Sequence, residues 1–236
     1  MSCSAADLVG LIEPGRVPRV DLHMHTDWTD GAASVAAMYE QAVARGLSAV
    51  LFSEHARASS GDWFPTFAAQ VRGLAGPCRA LVGAECKIAE FDGSLDSAPS
   101  ILAQCDLVMA SVHRFPGESG TIHGTNGGFT PDQAVEIEMR LSLAAMDNPA
   151  VDILGHPFGM SLSRFKIQPP WPCFMALIEK AAATGVAFEI NAKYHSDPWR
   201  LIDACRQAGA PISLGSNAHQ PDDVGLISRL LEGTSA

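Results

Sequence analysis

The chain has 236 residues, of which 47% are hydrophobic and 18% charged, and its net charge is −10. A chain of this length can bury a sufficient core without disulfides or a structural metal. The acidic charge argues against a long nucleic-acid partner, because phosphate backbones attract basic surfaces. It leaves small nucleotides open as substrates, since bound divalent metals would cancel part of that charge locally.

The cysteines and the apolar segments indicate a reducing compartment. No C-x-x-C pair occurs, and the sequence starts without a basic segment and a long apolar stretch. No run of about 18 apolar residues is present, so we expect no membrane span. We therefore expect a cytoplasmic protein with free thiols. The cysteines stand singly at Cys3, Cys78, Cys86, Cys105, Cys173 and Cys205.

Seven short apolar runs predict buried strands. They cover residues 19–25, 49–55, 79–86, 106–113, 151–156, 186–191 and 211–216. Helical signals separate most of them. Ser34 can cap a helix that stops at Gly46, and Thr130-Pro131-Asp132-Gln133 is a capping-box pattern that starts another. Further helices are predicted over 172–184, 198–208 and 221–232.

Strand followed by helix, repeated about seven times, predicts a parallel sheet with helices outside. At this length we expect a distorted seven-stranded (β/α) barrel rather than an open sheet. Two polar, glycine-rich stretches, 90–100 and 115–130, are interpreted as loops over one end. No repeat or linker divides the chain, so we expect a single barrel domain over residues 1–236.

Most of the histidines lie where predicted strands end. In a parallel barrel all strand ends point to one face, where functional groups assemble. These side chains are therefore distant in sequence but are expected to be neighbours in space. His23 precedes the first of them by two residues. The five at or just beyond strand ends are His25, His55, His113, His156 and His219.

The segment Asp21-Leu22-His23-Met24-His25 carries the sharpest local pattern. Strand side chains alternate between faces, so Asp21, His23 and His25 share one side. Two imidazoles spaced in this way can reach one metal, and Asp21 could hold a ring nitrogen of one of them. The alternative is a polar strand edge that faces the surface.

Glu85 follows a nearly charge-free run at the end of the third predicted strand. A carboxylate on a buried strand is costly unless it is paired or bound to metal. A bridging position between two metals would offset that cost. The alternative is an ion pair with Lys87 or an arginine. The single histidines, such as His55, are weak evidence one at a time, and their joint position carries the prediction.

These motifs together resemble the PHP (polymerase and histidinol phosphatase) family, in order and spacing, over roughly residues 18–225. The resemblance implies a seven-stranded distorted barrel with two or three divalent metals, and members that hydrolyse histidinol phosphate, nucleotides, cyclic phosphates or nucleic-acid ends. The matching segments are DLHMH at 21–25, SEH at 53–55, GAE at 83–85, SVH at 111–113, GHP around His156 and SNAH at 216–219.

The resemblance also implies roles for individual residues. His23 and His25 would bind a first metal, and Glu85 would bridge it to a second. His113 and His156 would complete the second site. We expect zinc, manganese or iron, since nitrogen- and oxygen-rich ligation without thiolates suits these ions.

A third metal, if present, would be bound by His55 and His219. The family often has a further ligand shortly after its H-x-H motif, and Asp30 is the candidate here. Asn217 departs from the family, which usually has an aspartate that binds the first metal and can accept a proton from water. An asparagine can coordinate through oxygen but is no useful base.

Three interpretations of Asn217 stay open. The residue could be an engineered change that traps substrate, which the intact remaining motifs favour. It could reflect divergence toward low activity, or another group could act as the base. Arg114 follows His113, and Arg57 lies two residues after His55, so we expect both to clamp phosphate, with Lys87, Lys193 and Arg164 as further cations.

We expect metal-dependent hydrolysis of a small-molecule phosphate ester. The alternatives are a phosphodiesterase or nuclease acting on nucleotides or cyclic phosphates, a non-catalytic metal-binding module, and amidohydrolase-type chemistry. Trp28, Trp63 and Phe115 could form an aromatic wall for the organic half of the substrate. His123 and His195 fall in predicted loops and are interpreted as surface residues.

Overall fold

A computed structural model describes residues 4–118 and 127–233. Its seven strands form one parallel sheet in the order β1 to β7, with each strand paired to the next along the chain. This confirms the predicted barrel class. The strands are β1 Val20–Met24, β2 Ala49–Ala56, β3 Arg79–Lys87, β4 Leu107–Ser111, β5 Ile153–Leu154, β6 Ala187–Asn191 and β7 Ile212–Gly215.

The barrel is nearly closed between β1 and the segment that follows β7. Met24 and Ala218 form an isolated parallel bridge. The His25 backbone N–H donates to the Ala218 carbonyl at 2.8 Å, and the Ala218 N–H donates to the His23 carbonyl at 3.2 Å. This contact brings the H-x-H motif against the last motif of the chain.

Nine helices cover the outside of the sheet in the described ranges. The predicted capping box starts α5, where the Gln133 N–H donates to the Thr130 hydroxyl at 3.3 Å and the Thr130 N–H donates to the Gln133 side chain at 2.9 Å. The helices are α1 Ala5–Val9, α2 Val35–Ala44, α3 Phe64–Arg72, α4 Pro99–Leu102, α5 Pro131–Ala145, α6 Gly159–Ser163, α7 Trp171–Thr184, α8 Pro198–Ala208 and α9 Leu226–Gly233.

Two differences from the predicted elements matter for the site. The last predicted helix is broken, because Gly225 adopts φ +69 between a short 3-10 turn, Pro221–Asp223, and α9. The fifth strand is shorter than predicted, because the chain leaves the sheet at Gly155 and turns at His156 with φ +27. The second break lies at the candidate ligand His156, and at the first break the Gly225 N–H donates to Asp21.

Every residue of β1, β4, β6 and β7 is buried, as expected for a parallel sheet covered on both faces. No helix in the described ranges combines the length and the apolar character that a membrane crossing needs. The expectation of one domain over residues 1–236 stays a prediction.

Candidate metal centre

Glu85 lies at the centre of the candidate site, near the carboxyl end of β3, and is 2% exposed. The imidazoles of five histidines converge on its carboxylate. Their ring nitrogens lie 3.4 Å (His23), 3.4 Å (His25), 3.0 Å (His55), 3.0 Å (His113) and 2.8 Å (His156) from a Glu85 oxygen. The predicted cluster of strand-end side chains is therefore present around one carboxylate.

The electrostatics of Glu85 follow from its neighbours. Burial acts to raise its pKa, but His113, His23 and His55 outweigh burial and hold the pKa well below its ordinary value. Burial is the main cause that lowers the pKa of His25 well below its ordinary value, and the neighbouring His55, His23 and His219 add to it against the opposing effect of Glu85. The carboxylates act the other way on His23 and His55: Glu189 and Glu85 raise the pKa of His23 to about 10, and Glu85 and Asp30 raise the pKa of His55 to about 10, both against burial. Positive charge is therefore favoured around the buried Glu85 carboxylate, as expected where a cation binds.

The two histidines of the H-x-H motif show why a cation fits. His23 donates its Nδ1–H to Glu189 at 2.8 Å, which turns its Nε2 toward His25. The two Nε2 atoms lie 3.1 Å apart, and both are within 3.4 Å of Glu85. Ligand atoms at zinc distances of about 2.0–2.2 Å from one ion lie about 3.3 Å from each other. The donor set of His23, His25 and Glu85 therefore fits one divalent metal.

A second group of donors lies toward the rim of the barrel. Asp30 follows β1 and is half exposed, and its carboxylate lies 3.3 Å from His55 Nε2, 3.4 Å from His219 Nε2 and 3.9 Å from His25 Nδ1. Burial acts to raise the pKa of Asp30, but the hydrogen bonds from His219 and His55 outweigh burial and hold the pKa below its ordinary value. The atoms of these four residues are close enough to hold one cation.

A third group consists of His55, Glu85 and His113. The family resemblance placed His156 with His113 instead, and His156 does reach Glu85, at 2.8 Å. His55 belongs to two groups and His25 to two groups. The arrangement can hold two or three cations, and the assignment of each ligand to one metal stays a prediction.

Asn217 lines the cavity that these ligands surround. Its backbone is left-handed, with φ +50, a conformation that asparagine tolerates better than most residues. Its side chain is 6% exposed, and its Oδ1 accepts no hydrogen bond from any described residue. A buried acceptor without a donor is costly, and metal coordination through this oxygen would satisfy it.

Sequence reasoning missed Glu189, which supports two candidate ligands. It lies in the buried strand β6, and its Oε1 accepts from His23 Nδ1 while its Oε2 accepts a short hydrogen bond from the His156 backbone N–H. Asn191 adds a third donor at 3.1 Å. A carboxylate that fixes a ligating imidazole sets the tautomer and raises its basicity. The sequence signal that could have identified Glu189 was an acidic residue inside an apolar run.

Glu54 is a second missed carboxylate. It is buried beside His55, and it accepts from the Thr26 N–H at 2.8 Å, from the Thr26 hydroxyl at 2.7 Å and from the Thr29 hydroxyl. These contacts fix the loop after β1. Glu54 therefore holds the part of the loop next to Asp30, which follows Thr29.

The predicted role of Asp21 is wrong. Its carboxylate does not contact an imidazole; it accepts from the backbone N–H groups of Ser216 at 2.8 Å and Gly225 at 2.7 Å. Burial raises the pKa of Asp21 to about 6 despite these donors. Asp21 therefore links β1 to the chain beyond β7. The ring nitrogen of His23 is held by Glu189 instead of Asp21.

The predicted phosphate-binding cations do not line the metal-centre cavity. Arg57 and Lys87 both pair with Asp96, at 3.4 Å and 3.2 Å. Arg114 donates to the Glu118 carbonyl at 3.4 Å, and Arg164 pairs with the Glu118 carboxylate at 2.5 Å. Their binding to phosphate stays a prediction.

Lys193 is the predicted cation that lies against a candidate ligand, with its Nζ 3.3 Å from His219 Nδ1. Tyr194, which follows it, lines the metal-centre cavity with its ring 5.2 Å from the His156 ring. Tyr194 was not predicted as a site residue. Its position depends on the turn after β6, which the sequence pattern does not specify.

The predicted aromatic wall is not part of the cavity lining. Trp28 stacks on Trp63 at 5.7 Å beside α3, and Phe115 is buried between Phe129 and Phe165. These rings pack against the core instead.

His195 is not a surface residue but is 6% exposed. Its Nδ1 accepts from the Asn191 N–H at 3.0 Å, so its Nε2 carries the proton that is donated to the Pro157 carbonyl at 3.1 Å. This ring joins the end of β6 to the loop that holds His156. His123 lies outside the described residues.

The protein is a nearly closed α/β barrel, and a centre rich in histidines and carboxylates lies at the ends of its strands. The family model of the PHP domain matches residues 21–193. The chain belongs to the PHP family.

Curated relatives cover most of the chain. One is the DNA polymerase/3'-5' exonuclease PolX of Bacillus subtilis, 28% identical over 91% of this chain, which spans 36% of that protein's length. Another is a probable phosphatase of Syntrophotalea carbinolica, 29% identical over 92% of this chain and 87% of that protein. The chain thus spans about a third of one relative and most of the other.

A solved structure supports the fold. The histidinol phosphate phosphatase of Lactococcus lactis, in complex with zinc, L-histidinol and phosphate, aligns with a TM-score of 0.64 at 16% identity. The alignment covers 92% of this chain and 94% of that one. Identity at this level establishes a shared barrel, and the substrate is a separate question.

Proposed function

We propose that the protein is a metal-dependent phosphoesterase that hydrolyses a small phosphate monoester. The observation that carries this proposal is the buried Glu85 carboxylate with five imidazoles around it at the carboxyl end of the barrel. One carboxylate cannot accept a hydrogen bond from each of five rings in good geometry, whereas two or three divalent cations would use all of these donors. The phosphatase relative and the zinc-containing structural neighbour agree with this chemistry.

His23, His25, Glu85, His113 and His156 would hold the inner cations, and Asp30, His55 and His219 the outer one. When bound, such cations lower the pKa of a coordinated water and neutralise phosphate oxygens. Zinc, manganese and iron all suit this donor set.

The chain's own residues orient the reaction. Glu189 fixes the ring of His23 and the backbone of His156, and Glu54 fixes the loop that carries Asp30. The cavity between the ligands has a volume of about 210 Å³, which suits a phosphate group rather than a polymer. Lys193 lies beside His219 and would bind a phosphate oxygen at the rim. The Asn217 amide accepts no proton. Asn217 would therefore help to position the bound groups and would not act as a base.

The test combines metal analysis with a phosphatase assay on the purified protein and two variants. We expect two or three transition-metal equivalents, hydrolysis of at least one small phosphate monoester, and a decrease of both the metal content and the rate in His113→Ala. Glu232→Gln is the control, because Glu232 is a surface residue paired with Arg19. Absence of metal after reconstitution with manganese or zinc would overturn the proposal.

A nuclease is the second candidate, because the polymerase/exonuclease relative aligns with 91% of this chain. The net charge of −10 disfavours long nucleic acids. Release of mononucleotides from a single-stranded oligonucleotide, with no hydrolysis of monoesters, would favour this candidate.

A further inference from the structure

The turn that carries His156 has an unusual backbone. His156 and Phe158 have φ of +27 and +64, although neither residue is glycine. Residues other than glycine adopt this region at a cost in free energy, and they keep it where the surrounding structure holds them there. Because the imidazole of His156 lies 2.8 Å from Glu85, the contacts that hold this turn also set the position of a candidate ligand.

The His156 ring is not fixed by a hydrogen bond at its second nitrogen. Within the residues that the structure describes, its Nδ1 has no hydrogen-bond partner, whereas the Nδ1–H of His23 donates to Glu189. Packing holds the His156 ring instead, since a Cβ added at Gly159 would lie 2.6 Å from its Nδ1. Gly159 is the first residue of α6. The backbone of this helix therefore packs directly against the imidazole of a candidate ligand.

Glu138 holds α6 in this place from helix α5, and it is 1% exposed. Its Oε1 accepts from the Met160 N–H at 3.0 Å. Its Oε2 accepts from the Ser161 N–H at 2.8 Å and from the Ser161 hydroxyl at 2.7 Å. The first N–H groups of a helix have no partner within it, so Glu138 supplies acceptors that α6 lacks. One buried carboxylate thus links the start of α6 to α5.

The burial of Glu138 has a cost that packing alone would avoid. Burial raises the pKa of its carboxyl group to about 7, against the hydrogen bonds from Ser161 and Met160 that lower it. An apolar side chain facing the core from α5 would not carry this cost. Helix α6 contributes Gly159, Met160 and Ser163 to the lining of the metal-centre cavity. A carboxylate that anchors this helix is therefore explained by the site rather than by the core.

We propose that Glu138 is a positioning residue of the metal centre, which anchors α6 so that this helix holds the imidazole of His156 toward Glu85. Glu138 does not line the metal-centre cavity, so it acts through α6 and not on substrate. The inference rests on the proposed function, since it treats His156 as a metal ligand. Glu189, which accepts from the His156 backbone N–H, and Glu138 would then support the same ligand from two sides of its turn.

The experiment uses three variants and a matched control in the full chain. Glu138→Gln keeps the size of the side chain but leaves one acceptor oxygen for three donors. Ser161→Ala removes one of these donors, and Gly159→Ala adds the methyl group that would press on the His156 ring. Glu136→Gln is the control, because it makes the same change at an exposed position on the same helix.

Isothermal titration with manganese or zinc measures the metal affinity of each protein. We expect Glu138→Gln and Gly159→Ala to weaken the binding of one metal by about 10- to 100-fold, the effect typical of groups that support a ligand. The full stoichiometry should return at high metal concentration, Ser161→Ala should show a smaller loss, and Glu136→Gln should show none. A lower Tm in Glu138→Gln with unchanged metal affinity would show that this residue only stabilises α6, and would overturn the inference. If Glu138→Gln does not fold, unchanged metal affinity in Ser161→Ala has the same consequence.

Amide hydrogen exchange in the metal-free protein, followed by NMR, separates this inference from the proposed function. We expect Glu138→Gln to speed exchange at Met160 and Ser161, which lose their acceptor, and also at His156, whose N–H is bonded to Glu189. Faster exchange confined to Met160 and Ser161 would overturn the inference, because the change would not reach the ligand. A protein that binds no metal but shows the effect at His156 would remove the proposed function and keep Glu138 as the anchor of His156. Hydrolysis of phosphate esters, with His156 exchange and metal affinity unaffected by Glu138→Gln, would do the reverse.

Discussion

Two buried carboxylates at the same end of the barrel differ in how their hydrogen-bonding capacity is used. Glu189 accepts hydrogen bonds from His23, Asn191 and the backbone of His156. Its carboxylate oxygens are thus satisfied by donors of the protein itself. Glu85 faces five ring nitrogens, and two of them, the Nε2 atoms of His23 and His25, lie 3.1 Å from each other. A satisfied network supports a site, whereas an unsatisfied one indicates an external ligand.

The largest effect should come from removing the Glu85 charge. Glu85→Gln leaves the volume but takes away the anion on which the histidines converge. We expect the bound metal to fall by at least one equivalent and the phosphoesterase rate to fall by about 10³-fold, the upper range for loss of one electrostatic group in a site. Metal analysis and kcat measurement check this, and Glu232→Gln should match the unchanged protein. Full metal content in Glu85→Gln would contradict the comparison.

Asn217→Asp should act in the opposite direction. The substitution adds a charge at a buried oxygen that lacks a donor in the described chain, within reach of the same cavity. We expect tighter metal binding and a rate gain of about 10²-fold if this carboxylate accepts the proton from water. Assays with added manganese test it, with Asn217→Ala as the control that should gain nothing. An unchanged rate would show that another group is the base.

Metal removal should lower stability, because an ion that binds the folded centre and not the unfolded chain stabilises the fold. At a free metal concentration 100 times Kd the contribution is about 2.7 kcal/mol, or about 5–10 °C in Tm for a chain of this size. Calorimetry with and without a chelator measures this. The shift should shrink at acidic pH, since the ligands must be deprotonated to bind. A Tm insensitive to chelator would argue that the Glu85 cluster needs no cation.

Glu189→Gln tests the supporting network. Glutamine can still accept from His23, but the charge that raises the basicity of this ring is lost. We expect metal affinity to fall by about 10- to 100-fold, with the stoichiometry recovered at high metal concentration. Isothermal titration separates the two quantities. A permanent loss of one metal equivalent would place Glu189 among the ligands instead.

The smallest effect should come from Arg57. Because Arg57 pairs with Asp96 away from the cavity lining, Arg57→Ala should change kcat/KM by less than about threefold, within the range of an exposed ion pair. Lys193→Ala, next to His219, is the comparison variant and should raise KM more. A tenfold effect of Arg57→Ala would show that this arginine leaves Asp96 to bind phosphate.

The sequence by itself determined the barrel and the set of candidate ligands. Apolar runs of strand length, separated by helix caps such as Thr130, specify β/α repeats through local periodicity and hydrogen bonding. In a parallel barrel all strand ends meet, so the proximity of His25, His55 and Glu85 followed from their position along the strands alone.

Only the tertiary structure decided which side chains support the candidate ligands and which residues surround these ligands. Asp21 and Glu189 are both acidic residues in apolar strands, and no local pattern distinguishes them. Asp21 binds backbone N–H groups beyond β7, while Glu189 binds the ring of His23 from across the barrel. Tyr194 became a cavity residue through the turn after β6. Such contacts depend on long-range closure and loop geometry, which side-chain periodicity does not encode.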